Sequence, residues 1–230
     1  MGPHLSRQAR VTFLVFVLVL LAGVTAAYAE PPQFWLPVSV GVKVAPKWTL
    51  AVQVEPRWDS GGDREMDRVL FRPAAVCEPL SGLTIWAGYG YTEVRAERLP
   101  DDQLLWQQVV YTFKAGGWTL APRVRVEERF IERADGVAWR LRTHFRAMHP
   151  LPHATGWSVV AWHESFIPMN SVIGAQSGGF SQGRFFAGVQ RRIDSHVTVE
   201  PGYLALLNHR PGPLPDEWEH VVSVGIQVRF

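Results

Sequence analysis

The feature that most constrains the fold is a strict alternation of apolar and polar residues over the last dozen positions, 219–230. The apolar positions are Val222, Val224, Ile226, Val228 and Phe230, and the polar positions between them are Ser223, Gly225, Gln227 and Arg229. Because alternate residues of a strand share a face, this pattern predicts a β-strand with one apolar and one polar face. Soluble proteins usually cover such an apolar edge strand. In a closed membrane barrel, the strand pairs with the first strand and its apolar row faces lipid.

The N-terminal segment has the pattern of a secretory signal peptide. Arg7 and Arg10 precede an apolar run over 11–24, and Ala27-Tyr28-Ala29 forms a small-x-small cleavage site before Glu30. A membrane anchor is the alternative, but its apolar core is shorter than the roughly 20 residues that a span needs. We therefore predict a signal peptide at 1–29, an exported barrel domain at 30–230 and a location in a Gram-negative outer membrane.

Composition excludes several other classes of protein. The single Cys77 can form no internal disulfide, and the net charge of +2 is too small to indicate nucleic-acid binding. Hydrophobic residues make up 47% of the chain and mean hydropathy is −0.01, yet the mature part has no apolar run long enough for a membrane helix. A barrel fits, since it distributes apolar residues over alternate positions. The histidines lack metal-ligand spacing and no phosphate-binding glycine loop occurs, so no metal or other cofactor is predicted.

The alternation recurs in eleven segments. They lie at 34–44, 48–57, 66–77, 83–94, 103–113, 118–130, 137–148, 156–166, 180–191, 196–207 and the final strand. Short connections such as 45–47 and 114–117 alternate with longer ones such as 167–179, as expected for periplasmic turns and outer loops. Bacterial single-chain barrels normally have an even strand number. We therefore expect ten to twelve strands, with twelve favoured because a strand could lie hidden before residue 48 or in 167–179. An odd number closed by a parallel seam is the third option.

Arginines occupy alternate positions of two consecutive predicted strands, 118–130 and 137–148, and are expected to line the barrel lumen. They are Arg123, Arg125, Arg129, Arg140, Arg142 and Arg146. The candidate counter-charges are Glu55, Glu127, Glu164 and Glu200, and further basic candidates are Arg57, Arg68, Arg72, Arg184 and Arg229. Arginine suits this place because its planar fork binds carboxylates and stays charged when partly desolvated. Two hypotheses remain open: a narrow pore that steers small anionic solutes, or a structural barrel filled by Arg–Glu networks.

His163 and Ser165 are the candidates for catalysis. They lie two residues apart and therefore share a strand face, with Glu164 on the opposite face. Nucleophilic catalysis needs a hydroxyl, a base and a group that orients the base. The spacing identifies no acidic third member. An outer-membrane lipid-modifying hydrolase, resembling a lipid A deacylase or a phospholipase, is thus the alternative function, and a surface adhesin is a third class that the short loops disfavour.

Several short motifs carry a resemblance to a known family. They lie at 126–130, 139–142, 163–166, 180–188 and 200–203, together with the terminal strand. In these motifs the chain resembles domain-of-unknown-function family 2490, whose members are predicted outer-membrane barrels. The resemblance implies an outer-membrane location and brings no established activity, so an enzymatic role is not expected from it. Expected partners are outer-membrane lipid, lipopolysaccharide, a small anionic solute, and the barrel-assembly machinery, which would recognise the strand ending in Phe230; nucleic acid is not expected.

Overall fold

The computed structural model describes residues 32–59, 66–94 and 101–230. The predicted signal peptide lies outside the described residues, as do residues 60–65 and 95–100. Within the described ranges, no helix is long and apolar enough to cross a membrane. Their regular structure is β, and the predicted closed all-β barrel is confirmed.

Thirteen strand segments make up the sheet in the described ranges. In chain order they are β1 Gln33–Trp35, β2 Val38–Ala45, β3 Trp48–Trp58, β4 Met66–Leu80, β5 Leu83–Val94, β6 Asp102–Tyr111, β7 Phe113–Ala115, β8 Trp118–Ile131, β9 Ala138–Pro150, β10 Trp157–Pro168, β11 Gln182–Arg192, β12 Val197–Asn208 and β13 Glu217–Arg229. Their ends fall within about three residues of the predicted ones, because the turn residues and the alternation mark the boundaries clearly.

Two pairs of segments are each one strand with a break. Segments β1 and β2 both lie between β13 and β3, and they are interrupted at Leu36-Pro37, where Pro37 has no N–H for the ladder. The carbonyl of Pro37 still accepts a bond of 2.8 Å from the amide of Ile226. Segments β6 and β7 both pair with β8 and are separated only by Thr112. The cylinder in the described residues therefore has eleven strand positions.

The barrel closes through a parallel seam. Strand β13 pairs antiparallel with β12 and parallel with both β1 and β2, because in an odd cylinder of alternating strands the first and last run in the same direction. Eleven strands lie within the expected range of ten to twelve and match the third option, an odd number closed by a parallel seam, rather than the favoured twelve. The described region before residue 48 holds one broken strand, and the connection over 169–181 holds only an isolated bridge between Val172 and Gln176.

The two faces of the cylinder differ in chemistry. Large apolar side chains point outward and are exposed, for example Leu50 at 54% and Val124 at 51%. Buried charged side chains such as Glu127 and Arg142 point inward. An exposed apolar outer face of this extent is unusual for a soluble protein, and the interior buries apolar side chains such as Phe186 and Leu204 beside the paired charges. Connections of two to six residues, such as 46–47 and 151–156, close one rim, and the longer connections over 169–181 and 209–216 lie at the other.

Candidate functional site

The interior is crossed by a cluster of charged side chains that we call the arginine–glutamate plug. Its members come from six neighbouring or facing strands, β3, β4, β8, β9, β10 and β11. They are Glu55, Arg57, Arg72, Arg123, Arg125, Glu127, Arg140, Arg142, Glu164 and Arg184. Period-two alternation explains why they meet, since each one occupies an inward position of its strand.

Glu127 is the most buried carboxylate of the plug, with 0% of its surface exposed. Arg140 Nε donates to its Oε2 at 2.7 Å, and Arg142 Nη1 donates to its Oε1 at 2.8 Å. Arg125 lies 3.5 Å away. The register of β8 with β9 produces this geometry, because it sets Glu127 opposite Arg140 and Arg125 opposite Arg142. Three guanidinium groups therefore surround one carboxylate.

Arg142 joins this carboxylate to a second one on the next strand. Its Nη2 and Nε donate to Glu164 Oε1 at 2.7 and 3.0 Å, and Arg123 also pairs with Glu164. Glu164 is buried on β10, which pairs with β9. Two N–H groups of Arg142 thus converge on one carboxylate oxygen, and such charge-assisted bonds are stronger than neutral ones. Arg142 is thus the central connection of the plug.

The third carboxylate lies on the other side of the interior. Glu55 accepts a bond of 2.8 Å from Arg57 Nε on the same strand, and Arg72 on β4 lies 3.5 Å away. Glu55 and Arg57 are both buried. The pair shares one face because the two residues are two positions apart on β3.

Two arginines of the plug are held mainly by neutral groups. Arg125 donates twice to Gln108 Oε1, at 2.9 and 2.7 Å, and its guanidinium lies 4.1 Å above the ring of Trp106. Arg184 donates to Gln182 at 2.6 Å and lies 4.3 Å above the ring of Phe166. Cation–π contacts of this type contribute about 0.5–2 kcal/mol each. They allow buried positive charge to exceed the carboxylates available.

The plug gives the interior an excess of positive charge. It contains seven guanidinium groups and three carboxylates, and its central members Arg125, Glu127 and Arg142 are buried from solvent. These side chains bond to one another across β8, β9 and β10. Their excess of guanidinium groups can attract anions.

The other residues expected in the lumen lie outside the plug. Arg146 pairs with Glu200, with one bond of 2.8 Å, and Arg129 pairs with Asp102, with one bond of 3.0 Å. Arg68 pairs with its neighbour Asp67. The remaining expected position, Arg229, is exposed at the end of β13. The final residue Phe230 is also exposed, but its amide donates to Gly41 at 2.9 Å and so extends the parallel seam.

A cavity of about 530 Å³ lies at the rim that carries the long connections. Arg129 and Arg140 line its inner side, while Gln176, Phe180 and His209 come from or adjoin the connections. Arg129 also approaches Gln176 at 3.4 Å. Sequence reasoning did not identify this cavity, because nine of its twelve lining residues come from the connections, whose positions no periodicity fixes. It would present guanidinium groups to an anion entering from this rim.

His163 and Ser165 lie on the outer surface of β10, away from the plug. His163 Nε2 is 2.8 Å from Ser165 Oγ, and His163 Nδ1 is 3.0 Å from the carbonyl oxygen of Arg184. The sequence predicts that these two side chains share a face. It could not predict the carbonyl, because backbone acceptors on a neighbouring strand leave no residue-type signal.

Within the described ranges, no group of three or more His, Cys, Asp or Glu residues could hold a metal ion.

Comparison with known proteins decides the family. The family model described as "Protein of unknown function (DUF2490)" matches residues 32–216, which include every member of the plug. The chain belongs to the DUF2490 family. An uncharacterized protein of Methylorubrum extorquens is 29% identical to this DUF2490 chain over 228 residues, which cover 94% of this chain and 97% of the relative. The similarity thus extends over almost the whole of both proteins.

Proposed function

We propose that the chain is a Gram-negative outer-membrane barrel that is closed in its resting state and whose interior favours anions. The observation that carries this proposal is an apolar outer face that is exposed over many strands, around an interior that buries paired charges beside apolar side chains. A closed barrel of this kind is one of the two structures that satisfy every backbone hydrogen bond in lipid.

The outer face supports the membrane location. Valines, leucines and aromatic residues are exposed on neighbouring strands, among them Leu50, Ile85, Val109 and Val124. Monomeric soluble proteins rarely expose contiguous apolar patches larger than a few hundred Å². Lipid would cover this surface, whereas water would leave it as a site of aggregation. The long connections would then face the cell exterior, and the short connections would face the periplasm.

The plug supports closure, and its charge supports an anion preference. Glu127 and Glu164 hold Arg142 between them, and removing that bridge is the most direct way to open a gap. The guanidinium groups outnumber the carboxylates, so a gap would be lined by positive charge. Rings of Arg and Lys select anions in pores.

Conductance in planar bilayers tests both the closure of the barrel and its preference for anions. We expect the purified wild-type protein to give no steady conductance. Arg142→Ala should produce openings whose reversal potential in a potassium chloride gradient favours chloride. Arg133→Ala is the matched control, since Arg133 lies in an exposed loop next to Glu132 and should leave the barrel closed. A steady wild-type conductance would contradict closure, and a cation-selective reversal potential would contradict the anion preference.

The location and the partners have their own test. Expressed with its N-terminal segment in a Gram-negative host, the protein should fractionate with lipopolysaccharide in the outer membrane. Its level there should fall when the barrel-assembly machinery is depleted. Recovery in the soluble periplasmic fraction would contradict the location, while the conductance experiment would still report on the interior.

A further inference from the structure

The outer surface of β10 carries a hydrogen-bonded histidine and serine that take no part in the plug. A carbonyl oxygen can only accept, so the contact with Arg184 places a proton on His163 Nδ1. His163 Nε2 then accepts the hydroxyl proton of Ser165 at 2.8 Å. A hydroxyl, a base and a group that fixes the tautomer of the base are the parts of an activated serine nucleophile.

The neighbours of the pair form an apolar surface. Phe145 on β9 and Phe185 on β11 stand opposite His163 in the two ladders, and both are exposed. The ring of Phe185 lies 4.5 Å from the imidazole and 6.1 Å from the ring of Trp218. A hydrocarbon chain lying along these rings would bring its carbonyl end next to Ser165.

The depth of the pair suits an ester bond of a lipid. Ser165 lies three residues before Pro168, the last residue of β10 at the rim of long connections. At about 3.3 Å per residue, its distance from that strand end is about 10 Å. Trp139 and Trp218 are exposed on the same face near this rim, as in an aromatic girdle at a membrane interface. The acyl esters of membrane lipids lie at the same boundary between headgroups and hydrocarbon.

We propose that Ser165 and His163 form a hydrolase site for fatty acyl esters of membrane lipids on the outside of the barrel. The proposal rests on the membrane location argued above, because only lipid would bring this substrate to the outer face. It does not depend on whether the interior is open or closed.

The reaction proceeds in two balanced steps. Ser165 Oγ attacks the ester carbonyl carbon and transfers its proton to His163 Nε2. The ester C–O bond breaks, the leaving alcohol takes that proton, and the acyl group remains on Oγ. Water then attacks the acyl carbon and gives a proton to Nε2. The bond to Oγ breaks, Oγ takes the proton back, and a fatty acid leaves. A carbonyl fixes the imidazole tautomer but stabilises the imidazolium less than a carboxylate would, so we expect slow turnover.

The test uses the full mature chain folded in detergent micelles. A fluorophosphonate probe reports the nucleophile, and peptide mapping locates the label. Mass spectrometry of released fatty acid reports hydrolysis, with dioleoyl phosphatidylethanolamine in one arm and lipopolysaccharide in the other, so the two lipid sources are distinguished. Ser165→Ala should abolish labelling and release. His163→Gln should lower both by at least about 100-fold, the usual contribution of a general base.

Thr143→Ala is the matched control, because Thr143 lies opposite Ser165 on β9 and also carries a hydroxyl. It should keep wild-type labelling and release. Circular dichroism and heat-modifiable migration verify that each variant folds. Release from either lipid that is lost in Ser165→Ala supports the proposal. Release equal in wild type and Ser165→Ala, or no release from both lipids, overturns it. Because micelles supply the lipid, these outcomes stand even if fractionation contradicts the outer-membrane location.

Discussion

Replacing Glu127 by glutamine removes the negative charge on which three arginines of the plug converge. The substitution keeps the size and one acceptor oxygen of the side chain, so packing changes little. Its expected effect is therefore electrostatic. Arg142 keeps Glu164 as a partner, whereas Arg140 loses the carboxylate 2.7 Å from its Nε.

The size of the effect follows from the contacts. Glu127 accepts two short charge-assisted bonds, at 2.7 and 2.8 Å. Hydrogen bonds to charged groups contribute roughly 1.5–3 kcal/mol each. Removing one partner from a buried ion pair costs about 3–5 kcal/mol, because the other charge is left in a medium of low polarity. We expect the free energy of unfolding of Glu127→Gln to fall by about 3–5 kcal/mol.

Urea unfolding of the protein in lipid vesicles, followed by tryptophan fluorescence, measures this loss. With a slope of about 2–3 kcal/mol per molar urea, the midpoint should fall by about 1–2.5 M. Glu128→Gln is the matched control, since Glu128 is the next residue of β8 and faces outward, opposite Trp139. Its effect should stay within about 0.5 kcal/mol. If the free energies of unfolding of Glu127→Gln and Glu128→Gln differed by less than about 1 kcal/mol, that result would refute the buried pairing of Glu127.

Three further predictions address the fold. Gly202→Ala should destabilise the barrel by roughly 1–3 kcal/mol in the same urea assay, because the added Cβ would lie 2.7 Å from a backbone oxygen. Gly225→Ala should be neutral, because the nearest atom to its Cβ would be 3.6 Å away. Equal effects of the two substitutions would contradict the packing. Val40→Cys combined with Val228→Cys should cross-link under mild oxidation in a background lacking the native cysteine, since the two residues are partners in the parallel seam; no cross-link would contradict that register. The backbone amides of His196 and Val197 lower the pKa of Asp194 below its ordinary value of 3.8, so carbon NMR should find its midpoint below that of an unfolded aspartate. This carboxylate stabilises its turn above the unfolded pKa, and the contribution is lost as pH falls through the lowered one; an ordinary midpoint would contradict the turn geometry.

Much of the barrel could be predicted from the sequence, because period two and turn residues are local signals. The alternation over 118–130 and 137–148 identified which arginines share a face, and adjacency in a hairpin brought Arg125 and Arg142 together. The closure could not be predicted in the same way. Pairing β13 with β1 and β2 joins residues about 190 positions apart, so no local signal selects the parallel seam among the options that the alternation leaves open.

The organisation of the site was predictable only in part. The excess of arginine over glutamate is visible in the sequence, but the roles of Gln108, Trp106 and Phe166 as neutral partners are not, because amides and rings face the lumen in many barrels. The carbonyl of Arg184 beside His163 depends on the exact register of β10 with β11. The residue types along a strand predict which face each side chain occupies, whereas the register between neighbouring strands decides which side chains touch.

The most direct test of the membrane location is the solvent around Val124, which is exposed halfway along β8. A spin label at Val124→Cys, with the native cysteine replaced by serine and the protein reconstituted in lipid vesicles, can collide with oxygen from the bilayer or with a water-soluble nickel chelate. If lipid covers the outer face, oxygen should relax the label strongly and the chelate should relax it weakly. Strong relaxation by the chelate and weak relaxation by oxygen would mean that water covers the outer face, and would contradict the membrane location.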